Sequence, residues 1–167
     1  FYFKFARGLL PYQLSCSEFH RFLSSYIHDE RSVYSQTLNL DSIQKQYLMD
    51  LLVENYEPAN REYLYNFLYD NCSTRVRDII EKSTDNQITW IAQPSTKSFW
   101  NLLDEYLGRS PWIQWGIHTI LGSPATSTAT IHEQMFLPDY LMYRLDSAAH
   151  NGTPLVQPIE TVYEAPE

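Results

Sequence analysis

The sequence predicts an α+β fold that is rich in helices, with a small antiparallel sheet on which the helix beginning at Cys72 packs. Apolar residues spaced as on one face of a helix recur through the chain, and several sets follow a capping residue. Short aromatic and β-branched runs between them have the composition of strands. The 167 residues suit one hydrophobic core and show no internal repeat. We therefore expect residues 1–167 to form a single domain.

The N-terminal part predicts a helix followed by a strand. The opening stretch FYFKFARG, residues 1–8, fits a strand and a helical turn equally well. SCSE at residues 15–18 has the spacing of a capping box, which predicts a helix through about residue 26. RSVYSQTLNL, residues 31–40, then predicts a strand.

A second capping box, formed by Asp41 with Gln44, predicts a longer helix. This helix would continue through about residue 55. Its apolar side would consist of Ile43, Leu48, Leu51 and Leu52.

The chain changes from strand to helix at Cys72. REYLYNFLY, residues 61–69, is rich in aromatic residues and predicts a strand. Asn71 has the side chain of an N-cap, so CSTRVRDIIEK, residues 72–82, predicts a helix with Cys72 in its first turn. The inward residues of this helix would be Val76, Ile79 and Ile80.

The second half of the chain predicts mainly packing elements. They are a short strand at residues 87–92, helices at 97–107 and 111–121, a polar loop at 122–130, a helix at 137–149 and an extended run at 154–163. Gly108 and Gly122 end the first two of these helices, and Pro138 is tolerated in the first turn of the third. Asn151-Gly152 predicts the turn into the extended run.

Composition excludes several classes of function. Hydrophobic residues make up 44% of the chain and charged residues 19%, which is globular, and no apolar run is long enough to span a bilayer. A net charge of −8 leaves no basic face for phosphates, so nucleic acid is excluded as a partner. HEQMF at residues 132–136 starts like a zinc-protease helix but has Phe136 where the second His should be. No cofactor and no metal is therefore expected.

The two cysteines, Cys16 and Cys72, leave alternatives open. A bridge between them would close a long loop and add about 4 kcal/mol in an oxidising compartment. The free N–H groups and positive dipole end of a helix N-terminus would favour a Cys72 thiolate, and Arg75 and Arg77 would add positive charge. Equally, Cys72 fits a buried thiol that packs as a small apolar residue.

Four segments in order along the chain carry a resemblance. They are FYFKFARGLLPYQL, RSVYSQTLNL, NREYLYNFLYDNCSTRVRDII and EQMFLPDYLMYRLDSA, and the block around Cys72 is the most specific. Together they resemble the Lnb family of bacterial envelope proteins. The resemblance implies a permuted papain-like (NlpC/P60-like) thiol fold, a periplasmic location and membrane helices outside this chain. The implied activity is N-acylation of the amino-terminal cysteine of lipoproteins.

On this sequence the resemblance makes Cys72 the nucleophile, which takes an acyl group from a phospholipid or a lipoprotein as a thioester and passes it to an amine. Asp70, Asn71 and Arg75 match the flanking motif, and the N–H groups of Cys72 and Ser73 are candidates for stabilising the oxyanion. The family also carries a catalytic His upstream of the segments found here. We therefore expect this chain to lack that base and one or more N-terminal strands, and to be inactive by itself.

Two other functions stay open from the sequence. The same thiol geometry would serve a cysteine peptidase or amidase that acts on cell-wall peptides. The third interpretation is a non-catalytic envelope binding module in which Cys72 is buried.

Overall fold

The computed structural model describes residues 8–108 and 110–166, so the prediction for FYFKFARG lies almost entirely outside the described residues. Within them the chain is an α+β protein. Its helices are α1 (Phe19–His28), α2 (Ser42–Tyr56), α3 (Cys72–Ser83), α4 (Phe99–Leu107), α5 (Pro111–Leu121), α6 (Ile131–Gln134) and α7 (Pro138–Ser147), with a 3-10 turn at Ser123–Thr126. Its strands are β1 (Leu10–Gln13), β2 (Val33–Ser35), β3 (Glu62–Tyr65), β4 (Ile88–Thr89), β5 (Ala149–His150), β6 (Thr153–Pro154) and β7 (Glu160–Tyr163).

The described strands pair into three small antiparallel sheets instead of the single one predicted. β1 pairs with β3, β2 pairs with β7, and β4, β5 and β6 form a three-stranded sheet in that order. Each strand has only two to four residues. Helices separate most of the paired strands along the chain, so each small sheet holds distant segments together instead of building one continuous layer.

The first helix begins later than predicted. Glu18 is the N-cap of α1, and its side chain makes no capping hydrogen bond. The predicted capping box at residues 15–18 is therefore wrong. The extended backbone of Glu18, with φ −65° and ψ 137°, cannot continue a helix toward Ser15.

The structure confirms the predicted capping box of the second helix, but it does not confirm the whole of the predicted apolar side. Asp41 accepts a hydrogen bond from the Gln44 N–H at 2.8 Å, and the Gln44 side chain accepts one from the Asp41 N–H at 3.1 Å. However, Ile43 is 81% exposed and Leu52 is 42% exposed. Because α2 packs mainly on α3, its neighbour covers only a narrow strip of its surface, which includes the partly buried Leu48.

The helix that begins at Cys72 is confirmed, with Asn71 as its N-cap. Ile80 is buried as predicted, but Val76 is exposed, which corrects the prediction that it faces inward. The main packing partners of α3 are helices α2 and α7 instead of the predicted sheet. Val76 lies on the part of α3 that these two helices leave uncovered.

The other strands are shorter than the sequence predicts. The runs at 31–40, 61–69 and 87–92 contain strands of three, four and two residues. The helix predicted at 111–121 is confirmed, whereas the short helix α6 was not predicted. None of the described helices is long and apolar enough to cross a bilayer.

Among the described residues, two hydrophobic clusters form the core, and they meet at residues 135–137. The first cluster contains Leu40, Ile80, Met135, Leu141, Leu145, Ala148, Leu155 and Val156. The second contains Leu68, Phe99, Leu102, Leu103, Ala125, Ala129, Phe136 and Leu137. Met135 belongs to one cluster and its neighbour Phe136 to the other, so this short segment links the two halves of the core.

We predict that Leu102→Ala lowers the free energy of unfolding by about 2–5 kcal/mol, because it opens a cavity at a fully buried site in the second cluster. The matched control is Leu52→Ala, which removes the same atoms from an exposed position on α2 and should change stability by less than about 0.5 kcal/mol. Urea unfolding followed by circular dichroism measures both. Equal losses would contradict the assignment of this core.

Candidate functional site

Cys72 is the first residue of α3, and its side chain is exposed. Cys16 is also exposed, and both cysteines are free thiols in this structure. An exposed Cys72 does not fit the interpretation in which it packs as a small buried residue. The thiol is therefore open to reagents and substrates at a helix N-terminus, where backbone N–H groups and the helix dipole favour negative charge.

Asn71 fixes the position at which the helix begins. Its side-chain oxygen accepts hydrogen bonds from the N–H groups of Ser73 and Thr74, at 2.8 and 3.0 Å. Its own N–H donates to the Thr74 hydroxyl at 2.8 Å, which completes a capping box. Its side-chain amide then donates to the carbonyls of Phe67 and Phe136, at 2.8 and 2.9 Å. Asn71, which is only 3% exposed, thereby ties the start of α3 to the segment that links the two core clusters.

A tight loop leads from β3 to Asn71. The backbone N–H groups of Asn66 and Asp70 each donate to the other residue's carbonyl, both at 2.9 Å. The Asn66 side chain accepts two further bonds, from the N–H groups of Leu68 and Tyr69. Leu68 is buried in the second core cluster. These hydrogen bonds and the burial of Leu68 therefore hold the residues just before α3 in a defined conformation.

Among the residues that the structure describes, the arginines near Cys72 are already paired. Arg75 makes a two-point ion pair with Asp70, at 2.7 and 2.9 Å, and lies over the Tyr63 ring at 3.6 Å. The buried Arg77 binds Asp78 and the His132 carbonyl. The prediction that these arginines add free positive charge at Cys72 therefore needs correction, because each is neutralised by an aspartate.

Two tyrosines of β3 are electrostatically coupled to Cys72. Burial raises the pKa of Tyr65, and Cys72, Tyr12 and Tyr63 raise it further. Burial also raises the pKa of Tyr63, and the opposing effect of Arg75 is outweighed. Both phenols are therefore neutral at physiological pH and do not place negative charge beside the thiol.

Cys72 lines a groove of about 350 Å³ between β2, α3 and α7. The lining residues are Tyr34, Gln36, Cys72, Ser73, Val76, Pro138, Leu141, Met142 and Leu145. They include no acidic and no basic side chain, and most of them are apolar. The groove is therefore suited to an uncharged, apolar group next to the thiol.

The hydrogen-bond donors that are free to stabilise an oxyanion near Cys72 differ from those expected from the sequence. The Ser73 N–H is already bonded to Asn71, so it is not free for an oxyanion. In the described part of the chain, the Cys72 N–H has no hydrogen-bond acceptor. Gln36 uses one side-chain N–H on the Met142 carbonyl at 3.2 Å, and a primary amide has a second N–H to offer. Cys72 and Gln36 are therefore the candidate donors in this groove.

None of the five histidines lines the groove. His132 is bonded to Glu81, His150 lies near Gln44 and Asn151, and the ring of His118 stacks on Trp100. A base for Cys72 is therefore not present among the groove residues that the structure describes.

A second polar cluster lies apart from the groove. Asp78, Glu81 and His132 bring three potential metal-ligand atoms within 4.8 Å of one another. Their groups are already partnered, because Arg77 binds Asp78 while Glu81 accepts from Trp90 and contacts His132 at 3.0 Å. We assign this cluster a structural role in joining α3 to α6.

Gln36 and the α7 side chains are site residues that were not predicted from the sequence. Gln36 lies in RSVYSQTLNL, and Leu141 and Met142 lie in EQMFLPDYLMYRLDSA, two of the segments that carry the resemblance. These site residues therefore lie in segments that the resemblance already marked, but only the three-dimensional structure shows that the segments meet at Cys72.

We predict that Asn71→Ala lowers the free energy of unfolding by about 2–4 kcal/mol, because the cap is lost and two carbonyls lose their donor. The matched control is Ser98→Ala at the N-cap of α4, which loses a capping box without a bridge to a distant carbonyl. It should cost about 1 kcal/mol. Urea unfolding of the two variants checks this, and a smaller loss for Asn71→Ala than for Ser98→Ala would refute the bridging role.

The Glu81 carboxylate predicts a pH dependence of stability. Burial raises the pKa of Glu81, but the hydrogen bond and charge of His132, the Trp90 indole and the charge of Arg77 outweigh it and hold the pKa below its usual 4.5. A lowered folded-state pKa contributes stability above the unfolded pKa, and this contribution is lost as pH falls through the folded pKa.

Glu81→Gln should therefore cost about 1 kcal/mol at pH 7, and the difference from the parent chain should shrink as the pH falls below the usual Glu pKa of 4.5 and through the lowered folded-state pKa. Glu62→Gln, at an exposed position of β3, is the control and should show no such trend. Urea unfolding at several pH values measures both variants. A cost of Glu81→Gln that does not change with pH would contradict this ionic role.

Comparison with known proteins identifies the family. The model of the Lnb N-terminal periplasmic domain matches residues 1–105, which include the Asn71 cap, Cys72 and the whole of α3. No curated protein and no solved structure matches the chain. The chain is therefore periplasmic, and it belongs to the Lnb N-terminal periplasmic domain family.

Proposed function

We propose that this domain is the thiol-bearing part of a bacterial acyltransferase that N-acylates the amino-terminal cysteine of lipoproteins through a Cys72 thioester. One observation carries the proposal: an exposed thiol at a helix N-terminus lines an apolar groove. The resemblance around Cys72 and the match to the Lnb domain family support it. A permuted papain-like arrangement of the whole catalytic domain is part of the same proposal.

The character of the groove favours an acyl chain over a cell-wall peptide. Val76, Leu141 and Leu145 line the same groove as Cys72 with aliphatic side chains. A cell-wall peptide carries carboxylates and amines, which would lose their hydration in a groove without charged partners. A peptidase or an amidase is therefore the less suitable alternative, and a binding module with a buried Cys72 does not fit the exposed thiol.

The proposed reaction has two steps. The Cys72 thiolate attacks the ester carbonyl of a phospholipid or of a lipoprotein, a C–S bond forms, the ester C–O bond breaks and the alkoxide leaving group takes up a proton. The amine of the lipoprotein's terminal cysteine then attacks the thioester, a C–N bond forms, the C–S bond breaks and the proton lost by the amine restores the thiol. The Cys72 N–H and the second amide N–H of Gln36 would stabilise the oxyanion in both steps.

The chemistry also needs a base, which the groove residues do not supply. We propose that the base comes from outside the described residues and that the chain does not turn over without it. The roles that remain for the flanking motif are structural. Asn71 caps the helix, Ser73 donates its backbone N–H to the Asn71 side chain, and Arg75, which is paired with Asp70, packs over the Tyr63 ring.

The proposed partners follow from this chemistry. They are the amino terminus of a lipoprotein and a phospholipid acyl donor, with no cofactor. Both substrates are held in a membrane, so we propose that further membrane helices of the full-length protein anchor this periplasmic domain beside them.

We predict that the Cys16→Ser chain forms a single acyl adduct on Cys72 when it is given p-nitrophenyl octanoate, or phosphatidylethanolamine micelles with imidazole as an added base. Intact mass spectrometry detects the adduct, and neutral hydroxylamine should remove it, as expected of a thioester. A peptide beginning with S-alkylated cysteine should then receive the acyl group as a hydroxylamine-stable amide. Cys72→Ala is the matched control and should form no adduct.

Two results would contradict the proposal. If the activated ester labels Cys72 in urea but not in the folded chain, the thiol is not a nucleophile in this fold. If the adduct is lost to water at a rate that the acceptor amine does not change, hydrolysis by a peptidase-like enzyme is the better description.

A further inference from the structure

Helix α5 presents an apolar surface to solvent. Trp112 is 84% exposed and Trp115 is 67% exposed, and Ile113 and Ile120 beside them are about half exposed. No residue of this helix is buried. Two exposed tryptophans on one short helix form an apolar patch that is unfavourable in water. Such a patch indicates a surface that binds a partner.

The opposite side of α5 is held by the domain. Ile117 and Leu121 pack against the second core cluster, and the His118 ring stacks on Trp100 of α4 with 4.6 Å between centroids. The Gln114 side chain donates to the Gly108 carbonyl at the end of α4. These contacts hold α5 against the domain, so its outer face, with Trp112 and Trp115, has a fixed position.

The segment that carries this face contains no acidic residue, lysine or arginine, and its His118, on the side that faces the domain, contacts Asp104 at 3.0 Å. Charged residues make up 19% of the chain and its net charge is −8, yet residues 110–132 contain no Asp, Glu, Lys or Arg. A surface that enters the interface of a bilayer must not carry carboxylates into it, and indole rings favour that zone because they combine an apolar body with one N–H donor. The local absence of charge therefore complements a lipid surface.

We propose that the outer face of α5, with Trp112, Ile113, Trp115 and Ile120, is a lipid-binding surface that lies in the interface of a bilayer. This lipid-binding surface rests on the proposed function, which places a membrane next to Cys72. It deepens that function because it gives the domain its own contact with the lipid that holds the substrates. The partner is the zwitterionic surface of a phospholipid bilayer, since a chain of net charge −8 gains nothing from anionic headgroups.

A second copy of the chain is a less suitable partner for the outer face of α5 than a lipid surface. The helix has 11 residues and is about 16 Å long, and one side of it is smaller than the roughly 800 Å² that each partner buries in a stable dimer. Two tryptophans are enough for a reversible contact with lipid, which needs no matching surface.

The test is co-sedimentation of the chain with sucrose-loaded phosphatidylcholine vesicles, with light scattering as a check of oligomeric state. We expect the monomeric chain to partition onto the vesicles and the Trp112→Ser/Trp115→Ser variant to partition at least about tenfold more weakly. Thr119→Glu, which adds one charge to the exposed face without removing apolar atoms, should also weaken binding. Circular dichroism confirms that each variant is folded.

Two controls make the result specific. Ile43→Ser removes an equally exposed apolar side chain from α2 and should leave partition unchanged. Cys72→Ala should bind vesicles as the parent chain does, so a failure of acyl transfer and a failure of lipid binding are separate outcomes.

Three results would overturn the proposal: no partition of the parent chain, equal partition of the double tryptophan variant, or a dimer in solution that the double variant dissociates. The last result would assign the face to a second copy of the chain.

Discussion

The hydrogen bonds of Asn71 are the constraint on which the rest of the structure depends. This buried side chain caps α3 with its oxygen and binds the carbonyls of Phe67 and Phe136 with its amide. Phe136 belongs to the segment at which the two core clusters meet. Packing of the core therefore fixes where α3 begins, and the next residue, Cys72, is left at the surface in a defined position.

The environment of the thiol is apolar and nearly neutral. Within the described part of the chain, nearby charges cancel in pairs, as Arg75 does with Asp70, and the lining of the groove adds aliphatic side chains from α3 and α7. What remains to favour an anion is the N-terminal end of the helix, including the Cys72 N–H. Such a site suits acyl transfer, because the acyl chain is uncharged and the negative charge appears only at the thiolate and on the oxyanion.

Local features of the fold and site could be predicted from the sequence, but long-range contacts could not. Capping by Asp41 and Asn71 depends on neighbours within one turn, so both helix starts were predicted correctly. The position of Gln36 beside Cys72 depends on the pairing of β2 with β7 and on the packing of α7, which no local pattern encodes. Ile43 and Leu52 of α2 were wrongly placed inside for the same reason, since burial depends on which neighbour covers a helix.

The reaction rates of Cys72 with N-methyl and N-octyl iodoacetamide, measured in the Cys16→Ser chain, test whether the thiol is a nucleophile placed beside an acyl-binding groove. The two reagents share one reactive group, so their ratio of rates isolates the contribution of the groove. We expect that folded Cys72 reacts with both, that the octyl reagent reacts faster, and that this preference disappears in urea. A folded thiol that does not react, or one that reacts equally with both reagents, would contradict a nucleophile placed beside an acyl-binding groove.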